Sequence, residues 1–406
     1  TFSVAGVPEG HYFLQIDQPA QRVGSDGVSV EGYDRWLVEQ TTNTPDLSSL
    51  VAARADATYP SRTTAVAVNL TNVLPSSSHV RVVSRDPEVY NAVPVSGSFL
   101  WGDRLPDASR GDMTWLFQTA GSSGGTPSAA RSSIVRYASL GLTIGDGGGA
   151  ITAALQTAPQ AQLRADLKLG QFAALGSAVN PAATADASYL EVRGIAHSDR
   201  FPDRPLNGFP VRLGVLSPDA LSADADFGSL AYGGHFLDTT WVENAGFWYE
   251  WLATLHDPDD ASKTVDTYPD YYSSMSMRGA PASWVPVLSP PTAPTIAGKD
   301  AFTPRSGVGL QPTIAWSAPA IGKPTSTIAR IDGADSPLQN GDIFSVTATV
   351  YSGTSFVVPA GYLKPGRAYS ALLTSDATSG DGIDTRIWGF SGNHTRASCA
   401  IGLFRP

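Results

Sequence analysis

The chain has 406 residues, a formal net charge of -10, a pI near 5.0 and one cysteine. At roughly 100 to 200 residues per domain, that length predicts about two to four domains. The acidic balance argues against a nucleic-acid or anionic-membrane partner, since both need clustered Lys and Arg, and Cys399 alone excludes an intrachain disulfide framework or a multi-cysteine metal site.

Charged residues make up only 16% of the chain, so the surface must be largely Ser, Thr, Asn, Gln and Gly. Of 37 acidic residues seven are Glu, and of 27 basic ones five are Lys, so charged helix formers are scarce. The 40 Gly and 30 Pro supply the punctuation of many short strands and turns. No apolar run approaches the length of about 20 residues that spans a bilayer, so no transmembrane segment is expected. The opening Thr-Phe-Ser-Val reads as a mature or trimmed chain.

Taken in order, residues 2–16 read as two alternating strands around a Pro-Glu-Gly turn. Further strands are predicted at Thr64 to Leu70, His79 to Arg85, Met113 to Thr119, Ile134 to Leu140 and Ala150 to Gln156, separated by polar loops. Gly145-Asp-Gly-Gly-Gly149 lacks the Gly-Lys-Ser/Thr of a phosphate-binding loop and reads as a hairpin turn. The spacing of Leu163, Leu167, Phe172 and Leu175 predicts one helix over 161–175, ended by Asn180-Pro181. Strands resume at Tyr189 to Ala196 and Val211 to Leu216. An aromatic segment, Thr239 to His256, follows, and the Pro-rich Leu288-Ser-Pro-Pro-Thr-Ala-Pro294 reads as a linker.

In the last third, Trp316 and the run Leu363-Lys-Pro-Gly-Arg-Ala-Tyr369 suit a sandwich with a buried Trp on an early strand and a Tyr that pins a corner through its hydroxyl. With Pro294, these residues resemble a fibronectin type III module over about 287–406. The phrase ending in Gly10-His11-Tyr12-Phe13-Leu14 resembles the end of a prealbumin-type sandwich. More widely, Arg54 to Pro60, Val66 to Leu70, Gly170 to Leu175, Asp300 to Pro304 and Gly307 to Thr313 resemble phrases of secreted proteins and lipoproteins of myxobacteria. That resemblance implies an extracellular or outer-surface location and no particular activity.

Catalytic patterns are sparse. There is no Gly-x-Ser-x-Gly elbow, no His-Glu-x-x-His, and no pair of the six histidines at spacing i, i+3 or i+4. His197 and His256 sit beside Ser or Asp in stretches better read as capped turns. Calcium is the one metal with candidate ligands, at Asp257, Asp259 and Asp260 and at Asp376, Asp381 and Asp384, although neither group matches an EF-hand and both read more readily as solvated turns than as ion sites.

The unusual segment is Trp241 to Trp251. Trp241, Trp248 and Trp251, with Glu243, Glu250, Tyr271 and Tyr272, form the candidate ligand-binding set. Flat rings can stack on sugars, and two carboxylates at the right separation can hydrolyse a glycosidic bond, with Glu243 and Glu250 as acid and base. Read instead as a strand, Phe247, Tyr249 and Trp251 share one face and Trp248 and Leu252 the other, the pattern of a central strand buried on both sides.

The resulting expectation is a mainly β chain of tandem immunoglobulin/fibronectin III-like sandwich modules. A small piece at 1–60 and a central β-rich region at 61–286 with its packed helix precede a final module at 287–406. The function expected is that of a non-catalytic extracellular structural or binding protein without a cofactor, contacting a carbohydrate, a protein or further copies of itself. Polysaccharide binding or hydrolysis through 241–251 and assembly into a fibre are the alternatives.

Overall fold

The computed structural model describes residues 12–23, 29–40, 64–74, 79–84, 89–94, 96–101, 108, 114–145, 147–198, 201–205, 211–234, 241–334, 342–379 and 393–406. The chain is mainly β, as its composition requires. The Pro-Glu-Gly turn and the Arg54 to Pro60 phrase lie outside the described residues.

Period-two alternation drives the strands. In Thr64–Thr71, Val66, Val68 and Leu70 are buried while Ala65, Ala67 and Asn69 face outward. The hairpin expected at Gly145 to Gly149 is corrected: the strands on either side, Ala129–Leu140 and Gly149–Ala154, belong to different sheets, and locally the Gly148 amide donates to the Gly145 carbonyl at 3.0 Å, with Gly148 at φ +99°.

One continuous sheet organises the molecule. Thr114–Ser122, Ala129–Leu140, Val211–Pro218, Thr184–Ser198, Trp241–His256, Asp270–Ser276, Asn393–Phe404, Tyr369–Ser379, Ser326–Gly333 and Asp342–Val350 pair antiparallel in that order. Ser29–Gln40 then adds in parallel to Asp342–Val350, and Tyr12–Val23 closes a hairpin on it. Hydrogen bonding therefore runs across both sequence positions, near 60 and 286, where the sequence pattern and the resemblances suggested boundaries.

A small sheet, Gln160–Leu167 with Ala225–Gly233 and Ser283–Trp284, covers one face of the central strands. Between the layers lies a core that includes Ile134, Leu163, Phe172, Leu190, Val192, Phe227, Phe247 and Trp251. The layers approach so closely that a side chain on Gly214 would sit 2.6 Å from the Tyr232 Cβ.

The helix expected over 161–175 is corrected. Gln160–Leu167 is a strand, and helical turns are confined to Leu169–Ala173 and Gly176–Val179. Leu163 and Leu167 are four residues apart, a spacing that lies on one face of a helix and of a strand alike. The residues between decide it: Ala165 is buried with them, Arg164 faces outward and Asp166 is only half-buried. Arg164 makes a cross-strand ion pair with Asp226 at 2.5 Å.

In the final region a second sheet, Thr292–Ile296, Lys299–Asp300, Thr313–Ser317 and Ser355–Val357, packs on the continuous one. Their shared core holds Ile314, Trp316, Ile331, Val346, Phe356, Leu373 and Cys399, together with Leu37 from the N-terminal hairpin. The Tyr369 hydroxyl accepts the Lys364 amide at 2.9 Å, and Pro365-Gly366, with Gly366 at φ +77°, makes the turn that brings the two together.

Candidate functional site

Strand parity divides the candidate residues. Trp241–His256 runs without a bulge against Asp270–Ser276, with Phe247↔Ser273, Trp248↔Tyr272, Tyr249↔Tyr271 and Glu250↔Asp270 in register. Phe247, Tyr249, Trp251 and Tyr271 turn into the hydrophobic core, each no more than 1% exposed. Phe172 inserts among them, with ring centroids 4.6 Å from Phe247, 5.6 Å from Tyr249 and 4.8 Å from Tyr271. Trp251 and Tyr271 are therefore removed from the ligand-binding set, and the Tyr271 hydroxyl is occupied by the Val287 amide.

Glu243 and Glu250 are also parted. Seven residues separate them, an odd number, so their side chains leave opposite faces of the strand, at about 23 Å along it for a rise of roughly 3.3 Å per residue. Glu243 lies on the core side beside Tyr232, whose hydroxyl is pushed up to about 12 by burial first and then by the nearby Glu243 charge. An acid and base flanking one glycosidic bond must stand within about 10 Å of each other. The pair expected for hydrolysis is not assembled. The Trp241 backbone opens the strand, and its side chain lies outside the described residues.

Trp248, Glu250 and Tyr272 share the other face, and there the structure supplies partners that no motif announced. Tyr189, Glu191 and Arg193 project from Thr184–Ser198, and His394 and Arg396 from Asn393–Phe404. Three rings on this face are flanked by two guanidinium groups. Arg212 lies 5.6 Å from the Tyr189 centroid, Tyr189 stacks on Trp248 at 5.5 Å, and Trp248 meets Tyr272 edge-on at 5.7 Å. Arg396 then lies over Trp248 at 5.4 Å and over Tyr272 at 5.5 Å. Such cation–π contacts are each worth about 0.5 to 2 kcal/mol, more as they lose water.

Beneath the rings Glu191 is fully buried. Its carboxylate is flanked by Arg193 and, at 3.2 Å from Oε2, by the Arg212 Nε, but neither contact has hydrogen-bond geometry. Burial drives the Tyr189 hydroxyl up to about 12, with the Glu191 charge adding to it, and burial likewise raises Tyr272. Gly246 lies opposite Glu191 in the register.

At the rim, Asp270 accepts from the Arg396 Nη2 at 2.6 Å and from the Ser398 hydroxyl at 3.2 Å. Glu250 stands beside Asp270 and Asp186, the latter displaced into a bulge between Ala185 and Ala187. Burial raises the Glu250 carboxyl above the usual carboxylate range, and the two neighbouring acids push it further.

The calcium candidates are placed differently from an ion cage. Asp376 holds the His394 Nε2 at 2.7 Å, while Asp381 and Asp384 lie outside the described residues. Asp257 is taken by Arg405 at 2.5 Å and caps the Asp259 amide, and Asp260 caps Ser262. The His256 Nδ1 lies 3.1 Å from the Ala261 carbonyl in the same turn. Among the described residues no group of three or more His, Cys, Asp or Glu is disposed to hold a metal ion.

The arrangement is a stacked, ion-paired ladder whose rings face one another. Trp248 already carries both Tyr189, stacked on it, and the Arg396 guanidinium over its ring.

No protein-family model matches the chain, and no curated protein matches it. Among solved structures, a leucine-rich repeat protein from Bacteroides thetaiotaomicron is similar at 10% identity over 51% of this chain and 23% of that one, with a TM-score of 0.11. A likeness that weak carries no argument about fold or function.

Proposed function

We propose that the chain is a non-catalytic structural or binding protein of the cell exterior, built from β-sandwich modules and acting through its surface. The observation that carries this reading is the separation of Glu243 and Glu250 onto opposite faces of Trp241–His256, which leaves the aromatic segment without a hydrolytic pair. Two features support it. The polar side chains of this face hold one another: Glu191 with Arg193, Asp270 with Arg396, Asp376 with His394. The Trp248 ring is also already stacked by Tyr189 and overlaid by the Arg396 guanidinium, whereas a sugar platform needs an open ring face.

The final module supports a fibronectin type III-like reading through its strand order, its buried Trp316 and its Tyr369 corner. The extracellular location rests on the low charge and on the resemblance to secreted myxobacterial proteins.

The test is a panel of soluble and insoluble polysaccharides incubated with the protein and assayed for new reducing ends. No release is expected from the unaltered chain. Release that disappears in Glu250→Gln while the fold is retained would overturn the reading. A glycan array run beside it should show no signal that Trp248→Ala abolishes.

A further inference from the structure

We infer that the Pro-rich stretch 288–294 is not a hinge, and that the central region and the final sandwich form one stiff, cooperatively unfolding body pinned by the strand Asn393–Phe404. Domains joined by a linker move relative to one another by default unless their interface is large and apolar. Here the last strand belongs to both. It pairs with Tyr369–Ser379 on one side and, through Tyr271↔Ala397 to Ser274↔His394, with Asp270–Ser276 on the other. Separating the regions means tearing a β ladder.

Further contacts lock that strand along its length. Arg396 and Ser398 both bond Asp270, which is 7% exposed. The Asn180 side-chain amide donates to the Ala400 carbonyl at 2.9 Å in a buried setting, and Ala400 and Leu403 join Ala253 and Leu255 in a small core of their own. Beyond the strand, Arg405 grips Asp257 through two nitrogens at 2.5 and 3.2 Å.

The stretch itself is packed. Leu288, Ser289, Pro290, Pro291 and Pro294 are buried, and Leu288 is part of the central core. The Ser289 amide donates to the Ile321 carbonyl at 3.0 Å, and the Ile321 amide returns a bond to the Ser289 hydroxyl at 3.1 Å. A side chain on Gly322 would collide with the Val287 carbonyl, so the crossing tolerates no slack. A Pro-rich sequence here fixes backbone geometry rather than spacing two free bodies.

Hydrogen exchange of the intact chain across a urea series, read by mass spectrometry, tests this. Strands Gln160–Leu167 and Thr313–Ser317 report the two regions, and their protection should vanish at one shared midpoint, with chymotrypsin failing to cut after Leu288 below it. Two distinct midpoints, or cutting after Leu288 in native conditions at the rate of the unfolded chain, would overturn the inference. Arg405→Ala should separate the midpoints and speed that cut about a hundredfold, the effect of leaving the buried Asp257 without its ionic partner. Arg405→Lys, which keeps the charge but not the two-nitrogen grip, should fall between. Should Arg405→Ala leave midpoint and cutting unchanged, the pin is misassigned.

Discussion

The two faces of Trp241–His256 are both covered, yet they are covered by different chemistry. On one, Phe247, Tyr249 and Trp251 interlock with Phe172 and Tyr271 in an apolar core. On the other, Trp248 stands among Tyr189, Tyr272 and Arg396, above the buried Glu191. The first face depends on shape, because each ring deleted leaves a void. The second depends on pairing, because each charge deleted leaves a partner dry and uncompensated. Density of aromatic residues therefore says little about a binding site until the strand's parity has sorted them.

Substitutions on the two faces should separate these modes. Trp251→Ala should have the largest effect, a loss of about 3–5 kcal/mol read from the urea midpoint. Glu191→Gln should cost about 3 kcal/mol by stranding Arg193, and Glu191→Leu combined with Arg193→Leu should recover most of it. If the single change cost less than about 1 kcal/mol, the pairing account of the polar face would fail. Trp248→Ala should be milder, about 1–2 kcal/mol, since the ring is only half-buried and loses mainly its stack and its cation.

Glu250→Gln should act in the opposite direction. Its folded carboxyl titrates above the ordinary value, so its contribution to stability is present below that ordinary value and is lost as pH rises through the raised one. At pH 7 the carboxylate therefore opposes folding. Replacing it should gain a few tenths of a kcal/mol, as solvent screening limits the effect, and melting curves should show that gain at pH 7 and not at pH 4. Asp257 has the opposite sign. The hydrogen bond from Arg405 holds its carboxyl below the usual range, so its contribution persists at neutral pH and is lost only as acid protonates it.

Local pattern carried much of this fold and little of its polar face. Alternation over Thr64 to Leu70 and over Phe247 to Trp251 was legible because each such strand needs only its own period. The Pro365-Gly366 turn and the Tyr369 corner were legible because they lie within one short run. Gln160–Leu167 misled because Leu163 and Leu167 suit either period, and only Ala165 between them carried the distinction. Glu191 and Arg193 were missed, although Tyr189-Leu-Glu-Val-Arg193 alternates ring, acid and base on one side of a strand; the rest of their setting comes from residues some 20 to 205 positions away. The docking of Ser29–Gln40 on Asp342–Val350, across about three hundred residues, leaves no local mark at all.

That docking bears on how the molecule is handled. The larger sheet of the final sandwich has two lateral margins, one sealed by Ser29–Gln40 and the other by Asp270–Ser276. A clone trimmed to 287–406, the piece that the fibronectin type III resemblance recommends, would unseal both at once. Bare amides and carbonyls along Asp342–Val350 and Asn393–Phe404 would then invite strands from other molecules, and the preparation would tend to clump.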